Sequence, residues 1–285
     1  MTTPVVAIQA QGAMGAGIAA RLTAHGVTVL TSLEGRSAAS AARAAAAGMQ
    51  PVPLARFGQA DAVLSILPPS EAEATAAALA PILAAAAAPP LYADCNAVSP
   101  ETMGRIGALL DGHGLRVVDA GIICGPPREG SAGPVVYASG AAAPVLAALL
   151  AGRGLDLRVV EGPVGAASAL KMSYAGITKG LVAIASAMML AATRAGAADA
   201  LRAELAASQP ALTAWFARMV PSMYDKAYRW AGEMQEIADF TRDDPGAAAI
   251  YGGAPALYAR LADPAAAEEI AALRAFLDGG APPRA

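Results

Sequence analysis

The stretch that most limits the fold lies at the start of the chain. Val5-Val6-Ala7-Ile8 is an unbroken apolar run of mostly β-branched residues, which reads as a strand buried on both faces. It leads directly into Ala10-Gln11-Gly12-Ala13-Met14-Gly15, a glycine turn that opens an apolar helix. Strand, tight turn and helix in that order begin a parallel α/β layer, because the helix must fold back over the strand it has just left. The turn matches a dinucleotide fingerprint with Ala in the first glycine position. Gly12 lets the backbone approach a pyrophosphate, and Gly15 lets the helix pack closely on the sheet. The helix N-terminus then offers free N–H groups to the anion. Gln11, Gly12, Ala13, Met14 and Gly15 are therefore the candidate cradle.

The alternation continues for about 160 residues, one ordinary domain's length. Strands are predicted at Pro4–Ala10, Val27–Thr31, Ala62–Leu67, Pro90–Asp94, Arg116–Asp119, Val135–Ala138 and Asp156–Val160. Helices are predicted at 13–25, 38–47, 71–87, 100–113 and 142–152, which makes a mainly parallel sheet with helices on both faces. After Gly162-Pro163 the β signal stops, and helices are predicted at 165–195, 199–207, 210–220, 222–241, 253–262 and 264–277. The fold class is α/β: a doubly wound, Rossmann-type sheet over 1–162, followed by an all-α domain over 163–285. The first helix of that second domain is apolar on nearly every face and is expected to be buried on nearly every face.

Composition excludes several functions. Net charge is −3 with no block of Lys and Arg, which argues against a nucleic-acid or membrane surface. Met1 to Ala10 has no basic segment ahead of an apolar one, so no signal peptide is expected. The apolar run 76–93 is interrupted by Pro81, Pro89 and Pro90, and the run 181–193 is too short to span a bilayer. Cys95 and Cys124 have no metal-type spacing and fit free thiols in a reducing cytoplasm. His25 and His113 are too few and too far apart for a histidine metal site.

Charge usage then singles out one segment. The chain has 17 Arg and only three Lys, and two of those, Lys171 and Lys179, lie in Lys171-Met-Ser-Tyr-Ala-Gly-Ile-Thr-Lys-Gly180. Arg cannot lose its proton near neutral pH, whereas a desolvated Lys can. A chain that otherwise uses Arg has reason to place Lys where a titratable amine is needed. The other choice to be read is at the end of the second strand. An NAD site wants an acid there for the ribose hydroxyls, and position 31 is Thr. Thr31, Ser32, Arg36 and Ser37 instead suit a 2′-phosphate, which favours NADP; Glu34 keeps NAD open if the loop carries it to the ribose.

With these residues in view, the chain resembles the β-hydroxyacid dehydrogenase family, which includes 6-phosphogluconate and 3-hydroxyisobutyrate dehydrogenases. The family's glycine-rich start is echoed from Gln9 to Leu22, and its cofactor-facing strand end by Asp61 to Ser70, which brings in Leu67 and Pro68. Its DxSTxSP stretch is echoed by Asp94-Cys-Asn-Ala-Val-Ser-Pro100, its substrate loop by Asp119 to Gly125, and its catalytic helix by Gly165 to Lys171. The resemblance implies a nicotinamide oxidoreductase with Lys171 as general acid/base, and a homodimer that shares helices. It also departs from the family. The substrate-loop Ser falls near Ile123, the helix Asn is Ala175, and the later lysine–aspartate pair has only Glu233-Met-Gln-Glu236 as its counterpart. The cofactor machinery is kept while the substrate site is altered.

Helical spacing puts Tyr174 and Thr178 on the Lys171 face, where either can replace the missing Asn. Lys179, near the edge of that face, reads as a cation facing solvent or a partner subunit. Asn96 and Ser99 lie past a strand's C-terminal end, where ligands collect, and both can also cap the helix that follows. Ile123, Cys124, Gly125 and Arg128 line the candidate substrate loop, with Arg128 pairing an anionic substrate. Asp119 reads as the residue that orients this loop. Tyr224, Tyr228, Arg229 and Trp230 form an aromatic and basic cluster that either closes the pocket or meets a second subunit. The expected activity is hydride transfer between NADP and a small hydroxy acid or a related alcohol/carbonyl pair. The rivals are imine reduction and dinucleotide binding without turnover.

Overall fold

The computed structural model describes residues 3–123, 125–127 and 133–279. The chain divides into two compact units, Met1–Met172 and Ser173–Ala285. The division falls inside a long helix rather than at Gly162-Pro163, where the composition changes, because the first turns of that helix pack on the sheet.

The first unit is built on one sheet of eight strands: β1 (Val5–Gln9), β2 (Thr28–Thr31), β3 (Gln50–Pro51), β4 (Ala62–Ser65), β5 (Leu91–Asp94), β6 (Val117–Ile123), β7 (Val135–Ser139) and β8 (Asp156–Val159). Their order across the sheet is β3-β2-β1-β4-β5-β6-β7-β8. Neighbours are parallel except β6 and β7, which pair antiparallel from Asp119↔Ser139 to Ile123↔Val135. The helices are α1 (Ala13–Ala24), α2 (Ala38–Ala46), α3 (Ala72–Ala84), α4 (Pro100–Asp111) and α5 (Ala143–Leu150). Every residue of β4 and β5 is buried, as a parallel strand covered on both faces must be. Alternate residues of β1 feed two apolar layers. Val6 and Ile8 join Ile18, Leu22 and Leu146, while Ala7 joins Phe57, Leu79 and Met103. The doubly wound class is as expected from sequence. The strand that pattern reading missed, β3, is a two-residue edge strand with both residues exposed, so it carries no burial pattern.

This order fixes where a ligand can sit. From β1 the chain moves outward to β2 and β3, then returns to β1's other side as β4. The helices on either side of this reversal diverge, which opens a crevice at the C-terminal ends of β1 and β4. The two strands are in register there, with Gln9 opposite Ser65.

The second unit is helical. It takes most of α6 (Ala166–Arg194), then α7 (Ala198–Ser208), α8 (Pro210–Met219), α9 (Ala227–Phe240), α10 (Pro245–Gly252), α11 (Ala254–Ala262) and α12 (Ala267–Asp278). Helix α10 was not anticipated, although Asp244 marks its start by accepting from the Gly246 and Ala247 N–H groups. Trp230 of α9 meets Tyr258 of α11 edge-on at 5.4 Å, and the Tyr258 hydroxyl donates to the Lys179 carbonyl at 2.6 Å.

Helix α6 departs from its expected burial. Tyr174, Ile177, Leu181, Ile184 and Met188 are exposed and recur three and four residues apart, so they form a single apolar stripe. At 29 residues α6 is also, among the described residues, the one helix long and apolar enough to cross a bilayer by length and composition. Half of its apolar window is buried inside the protein. The expectation of a segment too short to span counted only the cleanest part of a longer helix.

Candidate active site

The glycine turn between β1 and α1 is shaped for an anion. Ala10 has φ +85°, the left-handed region, at the place of the fingerprint's first glycine. Gly12 caps α1 with no side-chain hydrogen bond, and no acid lies in the helix's first turn. A Cβ added at Gly12 would meet nothing within 4 Å, whereas one at Gly15 would overlap the Ala10 carbonyl oxygen. The first position is thus open space and the second a close contact between helix and strand. Exposed Gly12 and Ala13, half-buried Met14 and the free N–H groups of α1 therefore fit a dinucleotide pyrophosphate.

Gln11 is turned inward and is 2 % exposed. Its amide donates to the Thr31 hydroxyl and, at 2.8 Å, to the Ser32 carbonyl, while its Oε1 is buried without a hydrogen-bond partner. Thr31 donates onward to the Ile8 carbonyl at 2.9 Å. Thr31 and Ser32, expected to touch the cofactor, are buried beneath the turn and support it instead. The reason is position: Thr31 is the last residue of a covered strand, so its side chain points into the layer. Glu34 accepts from the Leu54 N–H at 3.2 Å, which ties its carboxylate to the start of the next turn. Arg36 is exposed, and Ser37 caps α2 by accepting from the Ser40 N–H at 3.3 Å. Pattern reading missed Arg43. Its Nε donates to the Gln11 carbonyl at 2.7 Å and its Nη2 to the Ser40 hydroxyl at 3.0 Å.

The other wall of the crevice is a buried polar network across the ends of β4 and β5. Asn96 is 2 % exposed. Its Oδ1 accepts from the Leu67 N–H at 2.5 Å, and its Nδ2 donates to Ser65 Oγ at 3.1 Å and Asp94 Oδ2 at 2.9 Å. Asp94 Oδ1 also accepts from the Asn96 backbone N–H at 3.0 Å. The Asn96 side chain is thus committed to holding two strand ends together. Leu67 is half-buried beside it and Pro68 is exposed. What Asn96 offers outward is its carbonyl oxygen, which accepts from Lys171 Nζ at 3.2 Å. Ser99 caps α4, accepting from the Thr102 N–H at 3.2 Å.

Lys171 is set in place from the sheet. Asp119, wholly buried at the first pair of β6 with β7, accepts from the Gly165 and Ser168 N–H groups at 2.9 Å each. It also accepts from the hydroxyls of Ser168 at 2.6 Å and Ser139 at 3.0 Å. Asp119 therefore orients the start of α6 rather than the loop after β6. Close approach is allowed by Gly121, where a Cβ would lie 2.9 Å from the Ala167 carbonyl and 3.1 Å from Lys171 Cβ. The half-buried Lys171 amine has its pKa pulled down to about 8 by burial, against an opposing pull from Cys95, Asp94 and Asp119. Burial likewise pushes Asp94 up to about 6, while its Asn96 hydrogen bonds hold it down. The Cys95 thiol is pushed well up by burial and is not a nucleophile at neutral pH.

Of the substrate-loop residues, Ile123 ends β6 half-buried and Gly125 is exposed, with open space where a side chain would be. Cys124 and Arg128 lie outside the described residues. Tyr174 and Thr178 belong to the second unit. Tyr174 is half-exposed, and the Thr178 hydroxyl is spent on its own helix, donating to the Tyr174 carbonyl at 2.9 Å. Lys179 is not a solvent-facing cation. It pairs with Glu233 and lies 5.2 Å above the Trp230 ring. The expected aromatic cluster also disperses: Trp230 is buried, Tyr228 is exposed, and Tyr224 lies before α9 under the Arg274 guanidinium.

Comparison with known proteins places this arrangement. Residues 6–150 match the family described as the NAD binding domain of 6-phosphogluconate dehydrogenase, and residues 192–261 match a domain family of unknown function. A search of curated protein sequences finds no match. Among solved structures, a conserved protein of unknown function, noted for its structural similarity to 3-hydroxyacid dehydrogenases, is 26% identical. Its TM-score is 0.71, with 90% of this chain and 96% of that one covered. The 3-hydroxyisobutyrate dehydrogenase of Mycobacterium tuberculosis, solved with L-serine, is 19% identical with TM-score 0.73, covering 96% and 99%. An imine reductase variant from Myxococcus stipitatus, solved with NAD+, shares the fold at 18% identity and TM-score 0.56, covering 92% and 100%. The family match spans half the chain and runs from β1 to the end of α5, so it takes in both the glycine turn and the Asp94–Asn96 corner. On that ground the chain belongs to the β-hydroxyacid dehydrogenase family, with a nicotinamide-dinucleotide-binding domain of the 6-phosphogluconate dehydrogenase kind.

Proposed function

We propose that the protein is an NADP-dependent oxidoreductase acting on a small hydroxy acid or its carbonyl partner, with Lys171 as general acid/base. One observation carries this reading. A lysine with a depressed pKa is hydrogen-bonded to the Asn96 carbonyl, at the strand ends that hold Leu67 beside the crevice. Lysine is rare in this chain, and burial has brought this one to a proton affinity useful near neutral pH.

A nicotinamide bound at this turn would supply the hydride acceptor for an alcohol carbon, or the hydride donor for its carbonyl partner. The chain supplies the rest. Free α1 N–H groups would hold the pyrophosphate. Below about pH 8 Lys171 is an ammonium and gives its proton to the developing alkoxide; above it, the neutral amine takes the hydroxyl proton in the oxidising direction. Asn96 acts as a positioning residue, since its side chain is occupied and its carbonyl aims the amine. NADP is favoured because the end of β2 carries a buried Thr31 where an NAD site wants an acid, and Glu34 is tied to Leu54. A cytoplasmic homodimer is the assembly we expect from the family resemblance. The apolar stripe on α6 supports a partner, and sedimentation of an Ile184→Arg variant tests it.

The test is turnover with NADPH and NADP+ against a panel of hydroxy acids, ketones, aldehydes and imines, with Lys171→Ala beside the native protein. We expect Lys171→Ala to abolish turnover and leave NADPH binding intact. Undiminished turnover in the variant would remove Lys171 from the chemistry. A preference for imines would favour the rival activity, and binding with no turnover of any class would leave a dinucleotide-binding protein.

A further inference from the structure

We infer that Arg43 reads the 2′-phosphate of NADP from the far end of α2, as a second cation beside Arg36. The inference rests on the NADP reading above and adds to it the residue that links the phosphate to the glycine turn. Arg43 lies at the last turn of α2, outside the loop where a 2′-phosphate cation is sought by pattern. Its side chain reaches back across the helix. The Nε edge of the guanidinium is fixed on the Gln11 carbonyl at 2.7 Å, and Nη2 is fixed on Ser40 Oγ at 3.0 Å. Ser40 Oγ in turn lies 3.2 Å from Ser37 Oγ, the cap of the same helix. Arg43, Ser40 and Ser37 therefore form an exposed polar chain from the glycine turn to the loop after β2.

A planar guanidinium held by one edge keeps donors on its other edge, in a fixed plane and with no loss of rotamer freedom on binding. Phosphate oxygens match such a fork. One further observation points to a ligand here. Glu34, the one acid among residues 31–50, accepts from the Leu54 N–H, so no described ion pair on the loop neutralises Arg36 or Arg43. An anion at the mouth of this corner would meet the Arg43 fork and the Ser40 and Ser37 hydroxyls.

The experiment measures binding of NADPH, NADH, adenosine 2′,5′-bisphosphate and adenosine 5′-diphosphate by calorimetry, on the native protein and on Arg43→Met and Arg43→Lys. Methionine keeps an apolar stem on the exposed helix face, and circular dichroism melts check that each variant folds. The expected result is that Arg43→Met weakens NADPH and the 2′,5′-bisphosphate by about tenfold or more and leaves NADH and the 5′-diphosphate within about twofold. Arg43→Lys should fall between, because it keeps the charge and loses the fork. Equal weakening of NADPH and NADH would overturn the inference, since Arg43 would then merely brace the turn. So would an unchanged NADPH preference in a variant of a protein that selects NADPH. A native protein that prefers NADH would instead overturn the NADP reading itself, and Arg43's role with it.

Discussion

Lys171→Met should make the protein more stable while ending its chemistry. The amine's pKa falls from the usual 10.5 to about 8 on folding, mainly through burial. At about 1.4 kcal/mol per pKa unit, keeping the ammonium buried near pH 7 costs about 3 kcal/mol. Water reaching the half-buried amine trims that figure, and methionine forfeits the hydrogen bond to the Asn96 carbonyl, worth about 1 kcal/mol. The variant should therefore be about 1–2 kcal/mol more stable than the native protein near pH 7. The sign of the pH dependence follows from proton counts. Between about 8 and 10.5 the unfolded chain keeps a proton on this lysine that the folded chain has released. Native stability therefore rises through that window, while the variant has no such group. The gap should shrink by about 1–2 kcal/mol between about pH 7 and about pH 9.5. Urea unfolding of both proteins at the two pH values, followed by circular dichroism, measures it. A gap that does not change with pH, or a variant less stable near pH 7, would show that the amine is hydrated and titrates normally. The acid/base assignment would then lose its physical basis.

Two further substitutions separate architecture from binding. Gly12→Ala should leave stability within about 0.5 kcal/mol, because Gly12 has φ −67° and open space at its Cβ, yet it should abolish dinucleotide binding by filling the cradle. A variant that still binds NADPH normally would mean that the pyrophosphate does not lie there. Asp119→Ala should cost about 3–5 kcal/mol, since it strands the Gly165 and Ser168 N–H groups and leaves two buried hydroxyls short of an acceptor. A loss under about 1 kcal/mol in urea unfolding would show that water or neighbouring groups can take over the start of α6.

What could be read from the sequence was what is local. The sheet was legible because its central strands are continuous apolar runs and its turns carry glycine. The two-residue strand β3 gave no such signal. Gly12 and Gly15 stood out by their place between an apolar strand and a helix, and Lys171 because lysine is rare in this chain. The wider site was not, because it is made by contacts between distant positions. Asp119 meets residues 46 and 49 places further on, and Arg43 meets the turn 32 places earlier. No periodicity encodes such pairings. Thr31 and Ser32 were misassigned for a related reason: a polar residue at a strand end looks like a ligand, and only the packed layer shows which way it points.

Ala10 carries a lesson about how such sites are spelled. The backbone there is left-handed, which costs an alanine about 1–2 kcal/mol that a glycine would not bear. The fold tolerates that cost, and the methyl group is tucked away at 8 % exposure. Gly15 has no such latitude, because its missing side chain is where the Ala10 carbonyl passes. The two positions look equivalent in a consensus, but one specifies a backbone angle and the other a volume. A motif scored letter by letter treats the two losses alike. One that penalised the first lightly and the second heavily would find relatives of this chain that a strict glycine pattern passes over.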